Sequence, residues 1–174
     1  MAKVSFTKLG LSKNQEIKEV KFNEQIIEVK QYLPVNDKLM LISDVINMSM
    51  GENNFANPVQ VSVFTTIGIL EYYTNINFTE KQKEDPAKLY DLVISNDFAS
   101  KIVDAIPEEE YEQLIDGIED SIEAYYNYRN SVMGILDAVS HDYSNLNLDA
   151  SKIQKELGDP NNMALLREVL TKLG

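Results

Sequence analysis

The sequence predicts an α+β fold, mostly α, in which an N-terminal β-hairpin packs on a bundle of five or six helices. Two runs of β-branched residues, 16–22 and 26–33, lie on either side of a short polar turn, which is the pattern of a hairpin. Beyond Pro34, apolar residues recur at helical spacing, with capping residues and prolines between the runs. We therefore divide the chain into a hairpin region, 1–33, and a helical bundle, 34–174, which together are expected to form one compact unit.

The composition limits the class of protein. The 174 residues are 44% hydrophobic and 25% charged, which is typical of a globular domain. The absence of cysteine excludes disulfides, thiolate metal ligands and cysteine nucleophiles. The first residues form no apolar signal-peptide core, and no apolar run approaches the ~20 residues of a membrane span. We therefore expect a soluble, cytoplasmic protein.

The net charge of −12 is unevenly distributed along the chain. Residues 101–150 carry twelve acids against two basic residues, whereas residues 1–50 carry six acids against seven lysines. A chain with this balance repels phosphate backbones and anionic lipids. Direct binding to nucleic acid or to a membrane is therefore not expected.

The N-terminal elements are interpreted as strands. Lys3–Lys8 alternates in polarity and is predicted to be a short strand. The hairpin strands, Glu16–Phe22 and Ile26–Leu33, meet across Asn23-Glu24-Gln25, whose turn type stays open because Asn-Gly is missing. An isolated hairpin is only marginally stable in water, so this one is expected to pack on the helical body.

The helical body begins after Pro34, which ends the second strand. Asn36 or Asp37 is a suitable N-cap for a helix that runs to about Met50. The inward face of this helix is expected to carry Leu39, Ile42, Val45 and Ile46.

Three further helix starts carry recognisable caps. Asn57-Pro58 opens a segment that runs to about Asn75, and Thr79-Glu80-Lys81-Gln82 has the spacing of a capping box. Asp85-Pro86 opens another helix, which Ser95-Asn96-Asp97 is expected to interrupt. The apolar residues of that helix are Leu89, Leu92, Val93, Phe98, Ile102 and Val103.

The longest predicted helix runs from Pro107 to about Ser140. Apolar residues recur along it in steps of four and three, which is the spacing of a packing seam. The seam residues are Tyr111, Ile115, Ile118, Ile122, Tyr125, Arg129, Val132, Leu136 and Val139. Such a seam packs either inside its own bundle or against a partner. A buried Arg129 would need an acid or a carbonyl partner, and could then set the register.

The C-terminal segment is predicted to form a loop and two short helices. The loop covers Asp142–Asn147, Asp149 caps a helix that ends at Gly158, and Asp159-Pro160 opens the last helix, to Leu173.

Nine acids lie between Asp104 and Glu123, with no Lys or Arg among them. Glu108–Glu110 fall in the first turn of the long helix, where the helix macrodipole favours negative charge. The acids that fall off the seam are Glu112, Asp116, Glu119, Asp120 and Glu123. This pattern is typical of a solvated face, but it also fits a surface that binds a basic partner or mimics nucleic acid. The nearby tyrosines Tyr125, Tyr126 and Tyr128, and the pair Tyr72-Tyr73, fit either core packing or an interface.

No catalytic or metal-binding motif is present in the sequence. His141 is the only histidine, so no histidine or cysteine set can hold zinc. The chain contains no EF-hand loop, no Gly-rich phosphate loop and no Gly-x-Ser-x-Gly elbow. We therefore predict no cofactor, no metal and no catalytic residue.

The run from Val20 to Pro34, VKFNEQIIEVKQYLP, resembles the opening of small proteins from tailed phages of Gram-positive bacteria. The nearest group is the siphophage tail assembly chaperones, which are acidic, largely helical and poor in cysteine. The resemblance covers about the first fifty residues by pattern and the remainder by composition, and carries over no functional residue. It implies a protein that binds the tape-measure protein and helps tail-tube subunits to polymerise around it.

We interpret the chain as a non-enzymatic virion-assembly protein of the host-cell cytoplasm. Its partners would be virion proteins, such as the tape-measure or tail-tube protein, or a second copy of itself. Two alternatives remain: an inhibitor of host defence that uses the acidic helix as a nucleic-acid mimic, and an enzyme whose carboxylates converge only in the fold. The candidate interaction residues are Ile27, Val29, Glu112, Asp116, Glu119, Asp120, Glu123, Tyr125 and Arg129.

Overall fold

A computed structural model describes residues 3–51 and 55–145 of the chain, and it confirms the mostly helical α+β fold class. The elements are a single turn of 3-10 helix, Phe6–Leu9, the strands β1 (Ile17–Phe22) and β2 (Gln25–Lys30), and the helices α1 (Val35–Ser49), α2 (Pro58–Tyr73), α3 (Glu80–Lys83), α4 (Pro86–Ser95), α5 (Phe98–Val103), α6 (Glu108–Arg129) and α7 (Val132–Asn145). The contacts divide the chain into two units between Tyr125 and Tyr126. None of the helices in the described ranges is long and apolar enough to cross a membrane.

The two strands form an antiparallel hairpin with a two-residue turn. Phe22 pairs with Gln25, so the turn consists of Asn23 and Glu24 alone. Asn23 has a φ of 53°, whereas Glu24 does not have a positive φ. Asn tolerates this left-handed conformation better than most residues. The hairpin is thus confirmed, with a tighter turn than the sequence predicts.

The predicted strand at Lys3–Lys8 is wrong. Phe6–Leu9 forms a turn of 3-10 helix, with the Lys8 N–H donating to the Ser5 carbonyl oxygen at 3.0 Å, and Gly10 ends it with a φ of 64°. Every side chain from Lys3 to Glu19 is exposed. Alternating polarity predicts a strand only where one of its two faces is buried, and here neither face is buried.

The caps at three helix starts are confirmed. The Asn57 Oδ1 atom accepts from the Val59 N–H at 2.9 Å, and the Asp85 Oδ1 atom accepts from the Lys88 N–H at 3.1 Å. In the predicted capping box, the Gln82 side-chain oxygen accepts from the Thr79 N–H at 2.9 Å. The expected interruption after Ser95 also occurs, since α4 ends there and α5 begins at Phe98.

The core of the first unit combines one residue of β2 with residues of the helices. Val29, Leu33, Leu41 and Tyr73 are fully buried. The larger cluster of buried residues adds Val45, Ile69, Leu70, Phe78, Leu89, Val93, Ala99, Ile102, Ala105, Ile106, Leu114 and Ile118. Helices α1 and α2 approach closely where Gly68 lies against Leu41, because a Cβ atom at Gly68 would be 3.3 Å from the Leu41 Cγ atom.

The predicted inward face of α1 is only partly right. Val45 is buried and Ile42 and Ile46 are half-buried, but Leu39 is 60% exposed. Lys38 is buried in its place, because its ammonium group forms an ion pair inside the protein. An internal partner for a charged side chain thus rotates the helix away from the face that hydropathy predicts.

The single helix predicted from Pro107 to Ser140 is wrong, because the chain turns at Asn130-Ser131 between α6 and α7. The Ser131 Oγ atom accepts from the Gly134 N–H at 3.1 Å, as an N-cap of α7, and donates to the Tyr128 carbonyl oxygen at 2.6 Å. Gly134 permits the tight turn, because a Cβ atom there would be 2.1 Å from the Tyr128 carbonyl oxygen. Helix α7 then continues to Asn145, so the loop expected from Asp142 begins too early, and the predicted helices after Asp149 lie outside the described residues.

The buried face of α6 is rotated from the predicted seam. Glu110, Leu114 and Ile118 are buried, whereas the seam residues Tyr111, Ile115, Ile122 and Tyr125 are half-buried. At 100° per residue, the centres of the two faces differ by roughly 60°. Beyond the turn, the seam residues Val132 and Leu136 are 73% and 56% exposed, and the Val139 side chain lies outside the described part.

Candidate protein-interaction surfaces

The outer edge of β2 is covered by the chain that follows α2. Val29 forms an isolated antiparallel bridge with Thr74, and the Glu28 N–H donates to the Asn75 Oδ1 atom at 3.2 Å. The Lys30 ammonium group also donates to the Tyr72 carbonyl oxygen at 2.8 Å. A further strand therefore cannot add to the sheet at β2 without displacing this segment.

The outer edge of β1 is open. Alternate residues of an antiparallel strand direct their N–H and C=O groups towards the partner strand and away from it. The Glu16 carbonyl oxygen accepts from the Gln31 N–H at 3.0 Å, which places Glu16 in the inward set. Ile17, Glu19 and Lys21 therefore direct their backbone groups away from β2, and none of these groups has a backbone partner within residues 3–51 and 55–145.

The face of β1 towards the core holds the strand in place. The Phe22 ring contacts the Phe98 ring edge-on, with centroids 4.6 Å apart, and the Lys101 ammonium group lies 5.2 Å from the Phe22 centroid. The Lys18 ammonium group donates to the Asp104 carbonyl oxygen at 3.5 Å. These contacts hold β1 against the helices through one face of the strand, so the position of its outer edge is fixed relative to the core.

The sequence-predicted hairpin candidates lie on the covered strand. Val29 is fully buried, and Ile27 is half-buried against the core. Their side chains are thus part of the fold rather than of an accessible surface. Sequence reasoning missed β1, although alternating charges such as Glu19 and Lys21 are a common feature of edge strands.

The acidic candidates are all exposed on α6. Glu112, Asp116, Glu119, Asp120 and Glu123 share this property with Glu108 and Glu109. At 100° per residue, these seven side chains fall within roughly 120° of the helix circumference. Of the other two candidates, Arg129 is exposed at the end of α6, so the register role that burial would give it does not apply, and Tyr125 is half-buried.

Glu110 is the exception among these acids, because it is 8% exposed. Its Oε1 atom accepts from the Leu33 N–H at 3.0 Å and from the Tyr73 hydroxyl at 2.8 Å, and it lies 3.0 Å from the Lys38 ammonium group. Sequence reasoning placed Glu110 with its neighbours in the first helical turn. The available signal was its spacing of four residues from Leu114, at the start of the buried stripe.

The partners of Glu110 are themselves held by further contacts. The Lys38 ammonium group also donates to the Gln113 Oε1 atom at 2.7 Å and lies 5.7 Å from the Tyr32 ring centroid. Burial, followed by the hydrogen bond to Glu110, raises the pKa of the Tyr73 hydroxyl well above its ordinary value. Three donors from three separate segments thus meet at one carboxylate oxygen, which is the arrangement of an internal structural anchor.

A cleft of about 380 Å³ lies beside α3 and α4. Its lining consists of Thr79, Lys81, Gln82, Asp85, Lys88, Leu89 and Leu92. Asp85 is the single carboxylate among these residues, and its Oδ1 atom already caps α4. Within the described ranges, no three His, Cys, Asp or Glu side chains gather as they would around a metal ion.

No protein-family model, curated protein or solved structure matches this chain.

Proposed function

We propose that this chain is a non-enzymatic assembly protein that binds other proteins through the open edge of β1. The observation that supports this proposal is that the outward backbone groups of Ile17, Glu19 and Lys21 have no backbone partner in the part of the chain that the structure describes, whereas the β2 edge is already covered. The resemblance of Val20–Pro34 to siphophage tail assembly chaperones supports a virion protein as the partner, such as the tape-measure or tail-tube protein.

The chemistry of the edge fits β-augmentation. An extended segment of a partner can add to β1 as a third strand, using the backbone groups that point outward. Main-chain hydrogen bonds then provide affinity, and the side chains of the added strand provide specificity. The exposed charges of Glu19 and Lys21 keep the free edge from unspecific aggregation.

Substitution of Glu19 tests the edge directly. Glu19→Pro removes the outward N–H and leaves the hairpin bonds of the neighbouring residues, whereas Glu19→Ala removes the charge and keeps the N–H. Each variant is co-expressed with candidate tape-measure and tail-tube proteins, and captured at low salt and at about 0.5 M salt. We expect capture to survive salt and the Ala substitution, and to be lost with Pro. A circular-dichroism spectrum of each variant controls for folding.

Capture that is unaffected by Glu19→Pro would contradict the proposal. Failure of every candidate virion protein to bind would contradict the assigned partner class.

The acidic face of α6 favours a second candidate function, a nucleic-acid mimic that inhibits a host defence protein. Its supporting observation is that seven exposed acids share roughly a third of the helix circumference. A surface of this kind attracts a basic partner through long-range electrostatics, which salt screens over about 8–10 Å. Binding that is lost in 0.5 M salt and on reversing Asp116 and Glu119 to Lys, while surviving Glu19→Pro, would support this function instead.

A further inference from the structure

The solvent face of the hairpin contains an unbalanced pair of charges. The strand register places Glu19 directly opposite Glu28, and Lys21 opposite the apolar Ile26. All four side chains are exposed, and neither Glu19 nor Lys21 forms a salt bridge with any residue in the described ranges. Like charges that face each other across a strand pair are destabilising. β1 therefore presents an acid and a base along its open edge, neither of them in a salt bridge with the residues that the structure describes.

A second copy of β1 could satisfy these charges, but only in one register. When two β1 strands pair antiparallel through their outward residues, three registers place at least two outward residues of each strand opposite outward residues of the other. One places Glu19 opposite Glu19, and a second places Ile17 opposite Glu19 with Lys18 opposite Lys18. The third places Glu19 opposite Lys21 in both directions, with Val20 opposite Val20 at the two-fold axis. The third register alone sets opposite charges face to face within the strands.

We propose that β1 binds β1 of a second copy of this chain, antiparallel, with Glu19 opposite Lys21 of the second copy. This inference rests on the same open edge as the proposed function, and goes beyond it by naming a second copy as an occupant and a register. A virion protein that binds through this edge would displace the second copy. The pairing would add about four main-chain hydrogen bonds and place each Glu19 between Glu28 of its own hairpin and a lysine of the second copy. The added lysine offsets the repulsion within the hairpin.

The pairing also leaves no free strand edge in the dimer. The resulting four-stranded sheet has β2 at both outer edges, and each β2 is already covered by Thr74 and Asn75. A symmetric dimer of this kind uses the same patch on both copies and leaves no edge for a third. The sheet therefore stops at two copies and does not extend into a fibre.

Charge reversal tests the register. We compare the wild-type protein, Glu19→Lys, Lys21→Glu and the double variant by sedimentation over a concentration series. Each single reversal replaces both opposite-charge pairs by like-charge pairs, so we expect the dimer dissociation constant to rise at least about tenfold. The double variant restores both pairs and should regain the wild-type dissociation constant. Equimolar mixing of the two single variants should restore dimers as well, since all lysines then face glutamates.

Glu28→Gln is the control, because Glu28 lies on the covered strand and does not face the second copy in this register. It should leave the dimer intact, and circular dichroism checks that every variant is folded. A wild-type protein that stays monomeric at the highest concentration would overturn the inference. So would single reversals without effect, or a double variant that fails to regain the dimer.

The two proposals fail in different ways. A monomeric protein that nevertheless captures a virion protein in a manner sensitive to Glu19→Pro would refute the self-pairing and leave the proposed function in place. A dimer that shows the charge-swap rescue but captures no virion protein would do the reverse.

Discussion

Glu110 shows how one side chain can join segments that are distant in the sequence. It receives donors from the end of the hairpin region at Leu33, from α1 at Lys38 and from α2 at Tyr73. A buried carboxylate is costly unless an opposite charge and further hydrogen bonds compensate for lost hydration. Here one cation and two neutral donors provide that compensation, so the site stabilises the fold only while all members are present.

Neutralising Glu110 should therefore destabilise the protein strongly. Glu110→Gln keeps the shape and one carbonyl acceptor but leaves the Lys38 charge buried without its counter-ion. The loss of one member of a buried pair costs about 3–5 kcal/mol in the free energy of unfolding. Glu109→Gln is the matched control, because Glu109 is exposed one residue earlier, and should change that free energy by less than about 0.5 kcal/mol. Urea denaturation measures the free energy of unfolding of both variants. Equal losses in the two variants would show that Glu110 is not an anchor.

Tyr73 makes the free energy of unfolding depend on pH in the alkaline range. Burial raises the pKa of its hydroxyl above the ordinary value of 10.0, so the folded state keeps this proton at a pH where the unfolded chain has lost it. The free energy of unfolding must then fall as the pH rises above about 10. Tyr72 contributes in the same direction, because burial and its hydrogen bond to Asp44 raise its pKa to about 12.

Replacing Tyr73 by Phe removes one of the groups that, above about pH 10, keep a proton in the folded state and lose it in the unfolded state. We expect Tyr73→Phe to be less stable than the wild type at pH 7, since Glu110 loses a donor, but to lose less further stability between pH 9 and pH 11. Denaturation curves at several pH values measure the slope. An unchanged slope above pH 10 would mean that the Tyr73 hydroxyl is not held in its neutral form by the fold.

The accuracy of sequence reasoning at this scale depends on how local the interaction is. The caps at Asn57 and Asp85 could be predicted because donor and acceptor lie within three residues of each other. The Lys38–Glu110 ion pair joins residues 72 positions apart, and its members sit in the sequence as ordinary surface charges. Nothing local distinguishes Glu110 from Glu108 and Glu109 except its alignment with Leu114.

At the scale of elements, α6 shows what periodicity can and cannot determine. The spacing of apolar residues correctly predicts a helix from the residue after Pro107 and correctly places Ile118 inside. It misplaces the centre of the buried face, because Glu110 is counted as polar although it lies in the core. It also continues across Ser131, where the chain turns and the Ser131 hydroxyl caps the start of α7 without interrupting the apolar pattern.

The corrected face of α6 has a direct consequence for stability. Leu114 is fully buried, so Leu114→Ala should lower the free energy of unfolding by about 2–5 kcal/mol. Leu136→Ala removes the same atoms from a side chain that is 56% exposed, and should cost less than about 0.5 kcal/mol. Chemical denaturation compares the two. A larger effect at Leu136, which lies on the seam that the sequence predicts, would restore the predicted register.

At the scale of the whole molecule, repulsion between like charges opposes the stability of the fold. The net charge of −12 is concentrated on α6, where Glu112, Asp116 and Asp120 follow one another at intervals of four residues. Like charges at this spacing destabilise a helix by roughly 0.2–0.5 kcal/mol per pair. The sequence predicted this imbalance and the overall fold class, because both depend on patterns that extend over many residues. It could not predict which sheet edge is open, because that depends on where Thr74 and Asn75 lie.

Salt should therefore stabilise the protein. Raising the ionic strength from about 0.01 M to 0.5 M shortens the screening length and weakens the repulsion along α6, so we expect the melting temperature to rise. Asp116→Lys converts the contacts with Glu112 and Asp120 into opposite-charge pairs. This variant should melt higher than the wild type at low salt and should gain less from added salt. A wild-type melting temperature that is independent of salt would contradict the repulsion.

The anchor at Glu110 also imposes an order on folding during synthesis. Lys38 and the Leu33 N–H leave the ribosome 72 and 77 residues before the carboxylate that binds them. Until then, the hairpin and α1 can form locally, but burying Lys38 would leave its charge without a counter-ion. Contacts between residues so far apart in sequence also slow folding, because the closure of a long loop precedes any gain from the contact. The nascent chain should thus remain open until α6 emerges, and the first unit should close in one late, cooperative step.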